Sequence, residues 1–334
     1  MSTLLDVRDL QVEFVTPNGA VRAVDGVSYT LDEHEIVGLV GESGCGKSAS
    51  QLAVMQLIQS PPGRIAGGEV LFEGSDLLTF AKNGPQMRAV RGGRIAMIFQ
   101  EPMTSLNPVL TVGAQLEEAV RTHCSLSKSE ARDRAVELLR LVGTPSPETR
   151  VKDYPHQFSG GIFQRVMIAM GLSCNPRVLI ADEPTTALDV TTQAQVLKLM
   201  RDLVEQFGAS LVIVTHNLGV VARYVHRIYV MYAGRVVEAG ATKDIFAHPR
   251  HPYTLGLLKS VPRLDERQGA RLIPIDGLPP NLIDMPPTCA FLPRCTRAID
   301  RCRREPWPAL ESVGGGHSVR CYVNLGEARD ERIV

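Results

Sequence analysis

The chain contains Gly41-Glu42-Ser43-Gly44-Cys45-Gly46-Lys47-Ser48, which follows an apolar run at residues 36–40 and precedes a helix-forming run at 49–55. A strand, a glycine-rich loop and a helix in this order predict a phosphate site. The glycines let backbone N–H groups approach anionic oxygens, and the helix directs its positive end toward them. We expect Lys47 to reach the β- and γ-phosphates and the Ser48 hydroxyl to ligate Mg²⁺. The stretch therefore predicts a nucleoside triphosphate site.

Length and charge limit the fold and the partners. A chain of 334 residues exceeds the usual size of one core, so we expect one large domain with an appendage, or two domains. Lys and Arg total 36 and Asp and Glu total 36, a balance that does not indicate a nucleic-acid partner. We expect no signal peptide, and the apolar runs are shorter than the ~18 residues that span a bilayer. The composition favours a cytosolic chain whose seven cysteines are thiols or metal ligands.

The N-terminal segment predicts β-structure. Residues 5–15 partly alternate between apolar and polar side chains, and a turn is predicted at 16–19. We expect a pair of short strands near 21–24 and 27–31. Phe14 is the aromatic side chain before the glycine-rich loop that is best placed to stack on a nucleotide base. Packing within the β segment is an equal alternative for this ring.

Polar side chains stand at the ends of three apolar runs that predict buried strands. They are Gln100, the neighbouring pair Asp182 and Glu183, and His216. In α/β sheets that bind nucleotides, ligands collect at the carboxyl ends of the strands, so we expect these groups to face one crevice. Asp182 suits a role on Mg²⁺, and Glu183 suits the general base that polarises an attacking water. A structural role is the alternative for His216.

Three local patterns predict further elements. Ser159-Gly160-Gly161 precedes a helix-forming run and is a second candidate anion site, although the same pattern also fits a plain turn. Ser127 with Glu130 predicts a capping box that begins a helix ending near Leu141. A β-hairpin is expected around Ala233-Gly234.

Taken together, these segments resemble the motif set of ATP-binding-cassette (ABC) ATPases in the family's order. By this resemblance, residues 41–48 are the Walker A loop, Gln100 is the Q-loop glutamine, and Phe158-Ser159-Gly160-Gly161 with Gln164 are the signature. Residues 178–182 are Walker B, and Glu183 is the catalytic glutamate. Residues 187–189 are the D-loop, and His216 is the switch histidine. It implies nucleotide contacts for Ser159, Gly160, Gly161, Gln164, Asp182 and Asp189, and Mg²⁺ contacts for Ser48, Gln100 and Asp182. The chain has Phe158 where leucine is usual and Asn217 where aspartate is usual. Neither change removes a group that touches phosphate, so an active site is expected.

The resemblance also implies the architecture and the partners. The expected fold is α/β, a RecA-like core with an antiparallel β subdomain and a helical signature subdomain at about residues 101–172. Cassettes of this family pair head to tail, so the signature of one subunit covers the ATP on the Walker A loop of the other. Because this chain has one motif set, its partner would be an identical or paralogous ATPase subunit. Two integral membrane permease subunits are expected, with an extracytoplasmic solute-binding protein as an indirect partner. The chain would lie peripherally on the cytoplasmic face of the inner membrane.

The C-terminal part resembles the extension of the oligopeptide/dipeptide branch of ABC importer ATPases, through His251-Pro252-Tyr253-Thr254 and the cysteines that follow. The predicted domains are therefore an ATPase domain at 1–250 and an extension at 251–334. Nickel and glutathione importers share this branch, so nickel or another small solute is the alternative to a peptide. A soluble cassette ATPase acting on DNA or ribosomes is a third class. Such proteins usually fuse two cassettes or carry basic patches.

Four cysteines of the extension form a candidate metal site: Cys289, Cys295, Cys302 and Cys321, in the pattern C-x5-C-x6-C-x18-C. Disulfides fit poorly with a cytosolic chain. Structural zinc sites usually pair cysteines at C-x₂₋₄-C, whereas four thiolates around an iron–sulfur cluster tolerate wider gaps. The spacing favours a [4Fe–4S] cluster, and Zn²⁺ is the alternative.

Overall fold

A computed structural model describes residues 2–100, 105–186, 188–260, 274–283, 285–323 and 325. The chain divides into two compact units. Unit one comprises Met1–Ser2, Asp32–Ile36 and Leu78–Val214, and unit two comprises Thr3–Leu31, Val37–Leu77 and Thr215–Val334. The boundary near residue 250 and the helical subdomain at about 101–172 remain predictions.

The described residues form twelve strands and eleven α-helices. The strands are β1 (Thr3–Thr16), β2 (Gly19–Asp32), β3 (Ile36–Val40), β4 (Gly63–Phe72), β5 (Ser75–Asp76), β6 (Ile95–Ile98), β7 (Val178–Asp182), β8 (Ser210–Thr215), β9 (Arg227–Tyr232), β10 (Arg235–Ala241), β11 (Glu311–Gly314) and β12 (His317–Val319). The helices are α1 (Lys47–Val54), α2 (Pro85–Val90), α3 (Val112–His123), α4 (Lys128–Leu141), α5 (Pro147–Arg150), α6 (Gly160–Leu172), α7 (Val190–Phe207), α8 (Leu218–Val221), α9 (Thr242–Ala247), α10 (Pro252–Lys259) and α11 (Asp300–Arg304). Short 3₁₀ turns lie at Leu77–Thr79, Pro155–Gln157 and Leu292–Arg294.

Unit two contains an antiparallel sheet in the order β2-β1-β4-β5. Strand β1 pairs with β4 from Leu5 opposite Phe72 to Phe14 opposite Gly63. The prediction of two short strands at 21–24 and 27–31 is wrong, because β2 is a single strand over this region. Gly26 adopts a φ of +79° inside the strand, a conformation that glycine tolerates, and the strand continues through it.

A second set of strands in unit two carries the glycine-rich loop and the C-terminal extension. Strand β3 pairs in parallel with β9, and β9 pairs antiparallel with β10. The predicted hairpin is confirmed, since Ala233 and Gly234 both have positive φ, at 48° and 78°. Strand β12 adds to β10 with Glu238 opposite Val319, and β11 pairs with β12. The extension is therefore built into this sheet through its own backbone hydrogen bonds.

Unit one is organised around the parallel strands β6, β7 and β8, with Ile98 opposite Ala181 and Asp182 opposite Val214. Strand β7 is completely buried, as its continuous apolar sequence predicts. Helix α4 begins with the predicted capping box, in which the Ser127 hydroxyl accepts from the Glu130 N–H and Glu130 accepts from the Ser127 N–H. The core of the unit is apolar and includes Ile98, Phe163, Ile180, Met200 and Val212.

Candidate active site

The Walker A loop lies in unit two between β3 and α1, and two of its glycines are required by close backbone contacts. A Cβ atom at Gly46 would lie 2.0 Å from the carbonyl oxygen of Ala23, and one at Gly41 would lie 2.2 Å from that of Met231. Gly46 also adopts a φ of +99°, in the left-handed region. Any side chain at these positions would displace the loop, so the sequence pattern has a direct steric reason.

Lys47 begins helix α1 and is buried, with 4% of its surface exposed. Its ammonium group donates hydrogen bonds to the carbonyl oxygens of Gly41 and Glu42, at 2.8 and 3.0 Å. The cation is thus held within the loop, at the N-terminal end of a helix, where anionic oxygens are favoured. Ser48 is the next residue of the helix and is half-buried.

The other loop residues differ in their solvent exposure. Ser43 and Gly44 are exposed, whereas Cys45 is buried. Burial raises the pKa of the Cys45 thiol, so this side chain stays neutral and the backbone is the part of the residue suited to phosphate contact. Phe14 is half-buried on β1, opposite Gly63, where a Cβ would lie 2.9 Å from its ring. Stacking of Phe14 on a base remains a prediction.

The two carboxylates after β7 lie in unit one and are almost fully buried, with Asp182 4% and Glu183 6% exposed. Glu183 has a φ of +49°, which is unusual for a residue with a side chain. Its backbone N–H donates to the Val214 carbonyl at 2.9 Å, and its carboxylate accepts a 2.6 Å hydrogen bond from the Thr186 hydroxyl. Strained backbone that is fixed by several contacts is typical of functional positions.

Gln100 lies at the same edge of the unit-one strands as this pair. It is exposed and follows β6, whose last residue, Ile98, is opposite Ala181. The carboxyl ends of β6 and β7 therefore bring Gln100 close to the region of Asp182 and Glu183. His216, in unit two, is exposed and follows the end of β8.

The signature segment begins helix α6 in unit one. Ser159 is the N-cap residue and is exposed together with Gly160, and Gly161 is half-buried in the first turn. Gln164, in the same turn region of the helix, is only 2% exposed. Its nucleotide contact remains a prediction. Phe158 is also buried, and the guanidinium of Arg150 lies 5.7 Å from its ring centre.

Asp189 has a structural task that the sequence analysis missed. It is the N-cap of helix α7 and accepts hydrogen bonds from the Thr192 backbone N–H and hydroxyl, at 3.0 and 2.7 Å. These bonds lower the pKa of the Asp189 carboxyl. An aspartate just before a helix-forming run is the signal that could have indicated the cap. Nucleotide contact by Asp189 remains a prediction, and Ala187 lies outside the described residues.

The four cysteines of the extension line one pocket, together with His251. Burial raises the pKa of Cys289 to about 11 and that of Cys321 to about 12, and the neighbouring cysteines add to both shifts. Among the described residues, no three or more His, Cys, Asp or Glu side chains are arranged to hold a metal ion. The structure thus brings the predicted cysteines together without arranging them around a single ion.

Two residues of the extension reach the Walker A loop, and neither contact is predicted from the sequence. Arg294 forms a salt bridge with the Glu42 carboxylate, and the Tyr253 hydroxyl accepts a hydrogen bond from the Glu42 N–H. Their partners lie more than two hundred residues away in the chain, so no local pattern indicates these contacts.

Two segments of the chain match known protein families. Residues 24–186 match the ABC transporter family, and residues 237–302 match the oligopeptide/dipeptide transporter C-terminal region. The chain is 49% identical to the oligopeptide transport ATP-binding protein AppD of Bacillus subtilis over 331 residues, which cover 99% of this chain and 100% of the relative. The chain belongs to the oligopeptide and dipeptide family of ABC transporter ATP-binding proteins. A second relative, the dipeptide transport ATP-binding protein DppD of the same organism, is 49% identical over 334 residues, 100% of this chain and 98% of the relative.

A solved structure supports the same family and fold. The dimeric structure of MJ0796, a bacterial ABC transporter cassette, superposes with a TM-score of 0.63 at 28% identity, over 71% of this chain and 98% of that one. The predicted ABC-type α/β fold is therefore confirmed, and the family makes the chain an ATP-hydrolysing cassette. Among the residues that the structure describes, no helix has both the length and the apolar character needed to cross a membrane.

Proposed function

We propose that this chain binds and hydrolyses ATP to power the uptake of dipeptides or oligopeptides through an ABC importer. The observation that carries the proposal is the match of residues 237–302 to the oligopeptide/dipeptide transporter C-terminal region, on the same chain as an ABC cassette. The names of the relatives AppD and DppD point to the same solutes. Import of nickel or another small solute by the same ATPase is the alternative.

Each polar group of the site has a proposed task in hydrolysis. Lys47 neutralises the β- and γ-phosphates, and Ser48 ligates Mg²⁺. Asp182 and Gln100 are proposed to act on Mg²⁺, directly or through water. Glu183 accepts a proton from the attacking water, and its buried carboxylate is held for that task by Thr186. His216 is proposed to contact the γ-phosphate, and Ser159, Gly160 and Gly161 the nucleotide on a partner subunit.

The partners follow from the single motif set and from the family. We infer a head-to-tail dimer with an identical or paralogous ATPase subunit, and the dimeric cassette MJ0796 supports this arrangement. Two integral membrane permease subunits would receive the work of hydrolysis, and an extracytoplasmic solute-binding protein would deliver the peptide. The chain would then be peripheral to the cytoplasmic face of the inner membrane. The equal numbers of basic and acidic residues favour this function over a cassette ATPase acting on nucleic acid.

An uptake assay tests the solute. A strain that lacks the chain is complemented with the unchanged chain, with Glu183→Gln, or with Glu137→Gln as the control, because Glu137 is a half-exposed helix residue paired with Arg134. Labelled dipeptide should enter with the unchanged chain and the control, and uptake should be lost with Glu183→Gln. Uptake of nickel without any uptake of dipeptides or oligopeptides would instead support the alternative solute.

We further propose that Cys289, Cys295, Cys302 and Cys321 hold a [4Fe–4S] cluster, with Zn²⁺ as the alternative. All four cysteines line the same pocket. Four thiolates gathered in one pocket suit a cluster of several atoms, which spreads its ligands more widely than one ion does. His251 supports the fit, because its ring lines the same pocket and its Nε2 has no hydrogen-bond partner among the described residues. The bound group would cross-link the extension.

Metal analysis of anaerobically purified protein tests this assignment. Brown protein with about four iron and four sulfide per chain and broad absorption near ~400 nm is expected. Replacing Cys302 by serine should lower the iron content, whereas Cys124→Ser, outside the pocket, should not. Colourless protein with one zinc per chain would contradict the cluster.

A further inference from the structure

The C-terminal extension contacts the Walker A loop at Glu42, whose side chain pairs with Arg294. The carboxylate accepts two hydrogen bonds from the Arg294 guanidinium, Nη1 to Oε2 at 2.7 Å and Nη2 to Oε1 at 2.9 Å. This is a bidentate pair, the strongest form of an arginine–carboxylate contact. The Arg294 side chain is 4% exposed and that of Glu42 is 25% exposed, so solvent screens the pair only in part.

The position of Arg294 is set by the extension. It ends the 3₁₀ turn Leu292–Arg294, directly before Cys295. Its Nε donates to the carbonyl oxygen of Asp276 at 3.0 Å, and its other nitrogens reach the Ile275 carbonyl and the Tyr232 hydroxyl, both at 3.3 Å. The guanidinium is therefore held by several partners besides Glu42, and it offers the loop a charge at a fixed place.

The backbone of Glu42 also forms hydrogen bonds, through both its N–H and its carbonyl oxygen. Its N–H donates to the Tyr253 hydroxyl at 2.8 Å, and Tyr253 is completely buried. Its carbonyl oxygen accepts from the Lys47 ammonium at 3.0 Å. One loop residue thus joins two groups of the extension to the lysine that is proposed to neutralise the phosphates.

A carboxylate at this place needs a neighbouring positive charge. Glu42 lies in the loop whose backbone is suited to bind anions, and an unpaired carboxylate there would repel the phosphates of ATP. Arg294 cancels that charge and fixes the loop in the conformation that holds Lys47. The electrostatic and the positional effect both predict tighter binding of nucleotide when Arg294 is present.

We propose that Arg294 is a positioning residue of the nucleotide site, through which the C-terminal extension neutralises Glu42 and holds the Walker A loop ready for ATP. The inference rests on the proposed role of residues 41–48 in phosphate binding. It predicts a loss of ATP affinity, with little effect on the rate at saturating ATP, when Arg294 is removed.

Equilibrium titration of the full chain with a fluorescent ATP analogue and Mg²⁺ tests the inference. Arg294→Ala should weaken binding by about tenfold, and Arg294→Lys, which keeps the charge but not the bidentate geometry, by less. Adding Glu42→Gln to Arg294→Ala should restore binding by at least about threefold, because it removes the unpaired carboxylate. That recovery distinguishes charge neutralisation from a general loss of structure. In steady-state assays the KM for ATP should rise while kcat changes by less than about twofold.

Two controls separate the possible failures. Arg8→Ala removes another arginine–carboxylate pair of unit two, Arg8 with Asp6 at 2.7 Å, which lies outside the loop; the Arg8 side chain is 56% exposed. It should leave the affinity unchanged. Lys47→Ala should abolish binding, and nucleotide binding that persists in this variant would contradict the proposed phosphate site itself. If Lys47→Ala loses binding but Arg294→Ala binds within twofold of the unchanged chain, only the present inference is overturned. Failure of the double variant to bind more tightly than Arg294→Ala overturns it as well.

Discussion

Glu238 should be among the residues on which the stability of unit two depends most. It lies in the middle of β10 and is completely buried. Its carboxylate accepts hydrogen bonds from the backbone N–H groups of Arg250 and His251, at 2.6 and 2.9 Å, and contacts His317 Nε2 at 2.7 Å. One side chain therefore joins three segments, including the strand β12 of the extension.

Replacing Glu238 by alanine leaves two backbone donors and an imidazole nitrogen buried without their acceptor. An unsatisfied buried polar group costs about 1–3 kcal/mol, and breaking a buried pair by removing one partner costs roughly 3–5 kcal/mol. We therefore expect the free energy of unfolding to fall by about 3–5 kcal/mol. Glu238→Gln keeps one acceptor oxygen, so its loss should be smaller.

Urea denaturation at neutral pH measures the change, with Glu305→Ala as the control. Glu305 pairs with Arg301, but its side chain is 45% exposed, so its removal should cost at most about 1 kcal/mol. Thermal unfolding should show a decrease of roughly 6 °C or more for Glu238→Ala. If this variant and the control unfold at the same urea concentration, the three contacts of Glu238 do not contribute as described.

Three further predictions concern single positions. Glu183→Gln should retain ATP binding while the steady-state ATPase rate falls by ~10²–10⁴-fold, and near-normal turnover would rule out Glu183 as the base. Gly46→Ala should lose ATP affinity and stability, by roughly 1–3 kcal/mol or more, since its Cβ would meet the Ala23 carbonyl at 2.0 Å. Gly74→Ala, at a similar φ of +78° but with nothing within 4 Å, is the matched control, and an equal loss of affinity there would contradict the steric reason. Burial raises the pKa of Cys174 to about 11, so the thiol is almost entirely protonated at pH 8 and its alkylation should be slow. Labelling at the rate of an exposed cysteine would refute this.

Local features of this chain could be predicted because short-range sterics and periodicity decide them. The Walker A loop could be predicted from the spacing of glycine, lysine and serine in residues 41–48, although the carbonyl groups that require its glycines belong to the distant Ala23 and Met231. The Ser127–Glu130 capping box and the Ala233-Gly234 hairpin likewise depend on residues within one or two turns of each other. The strand ends near Gln100, Asp182 and Glu183 could be located because polar residues follow each apolar run at that point.

The roles of several individual side chains could not be predicted in the same way. Gln164 belongs to a motif, yet its burial depends on which face of α6 packs inward. Asp189 belongs to a motif as well, yet its carboxylate caps α7. The two short strands expected at 21–24 and 27–31 form one strand. Gly26 takes a positive φ between them. Glycine permits this conformation but does not require it, so the sequence could not show whether the strand continues.

The amino-acid order of residues 41–48 was enough to indicate a phosphate loop, since the spacing of its glycines, lysine and serine between a strand and a helix is specific to that loop. The pairing of Glu42 with Arg294 and Tyr253, the burial of Glu238 under β12 and the gathering of four cysteines in one pocket were decided only by the folded chain. Arg294 has several arginine neighbours in the extension, at Arg297, Arg301, Arg303 and Arg304, and nothing local distinguishes it from them. Contacts between segments hundreds of residues apart depend on how whole strands and helices pack, and that packing is a property of the complete tertiary structure.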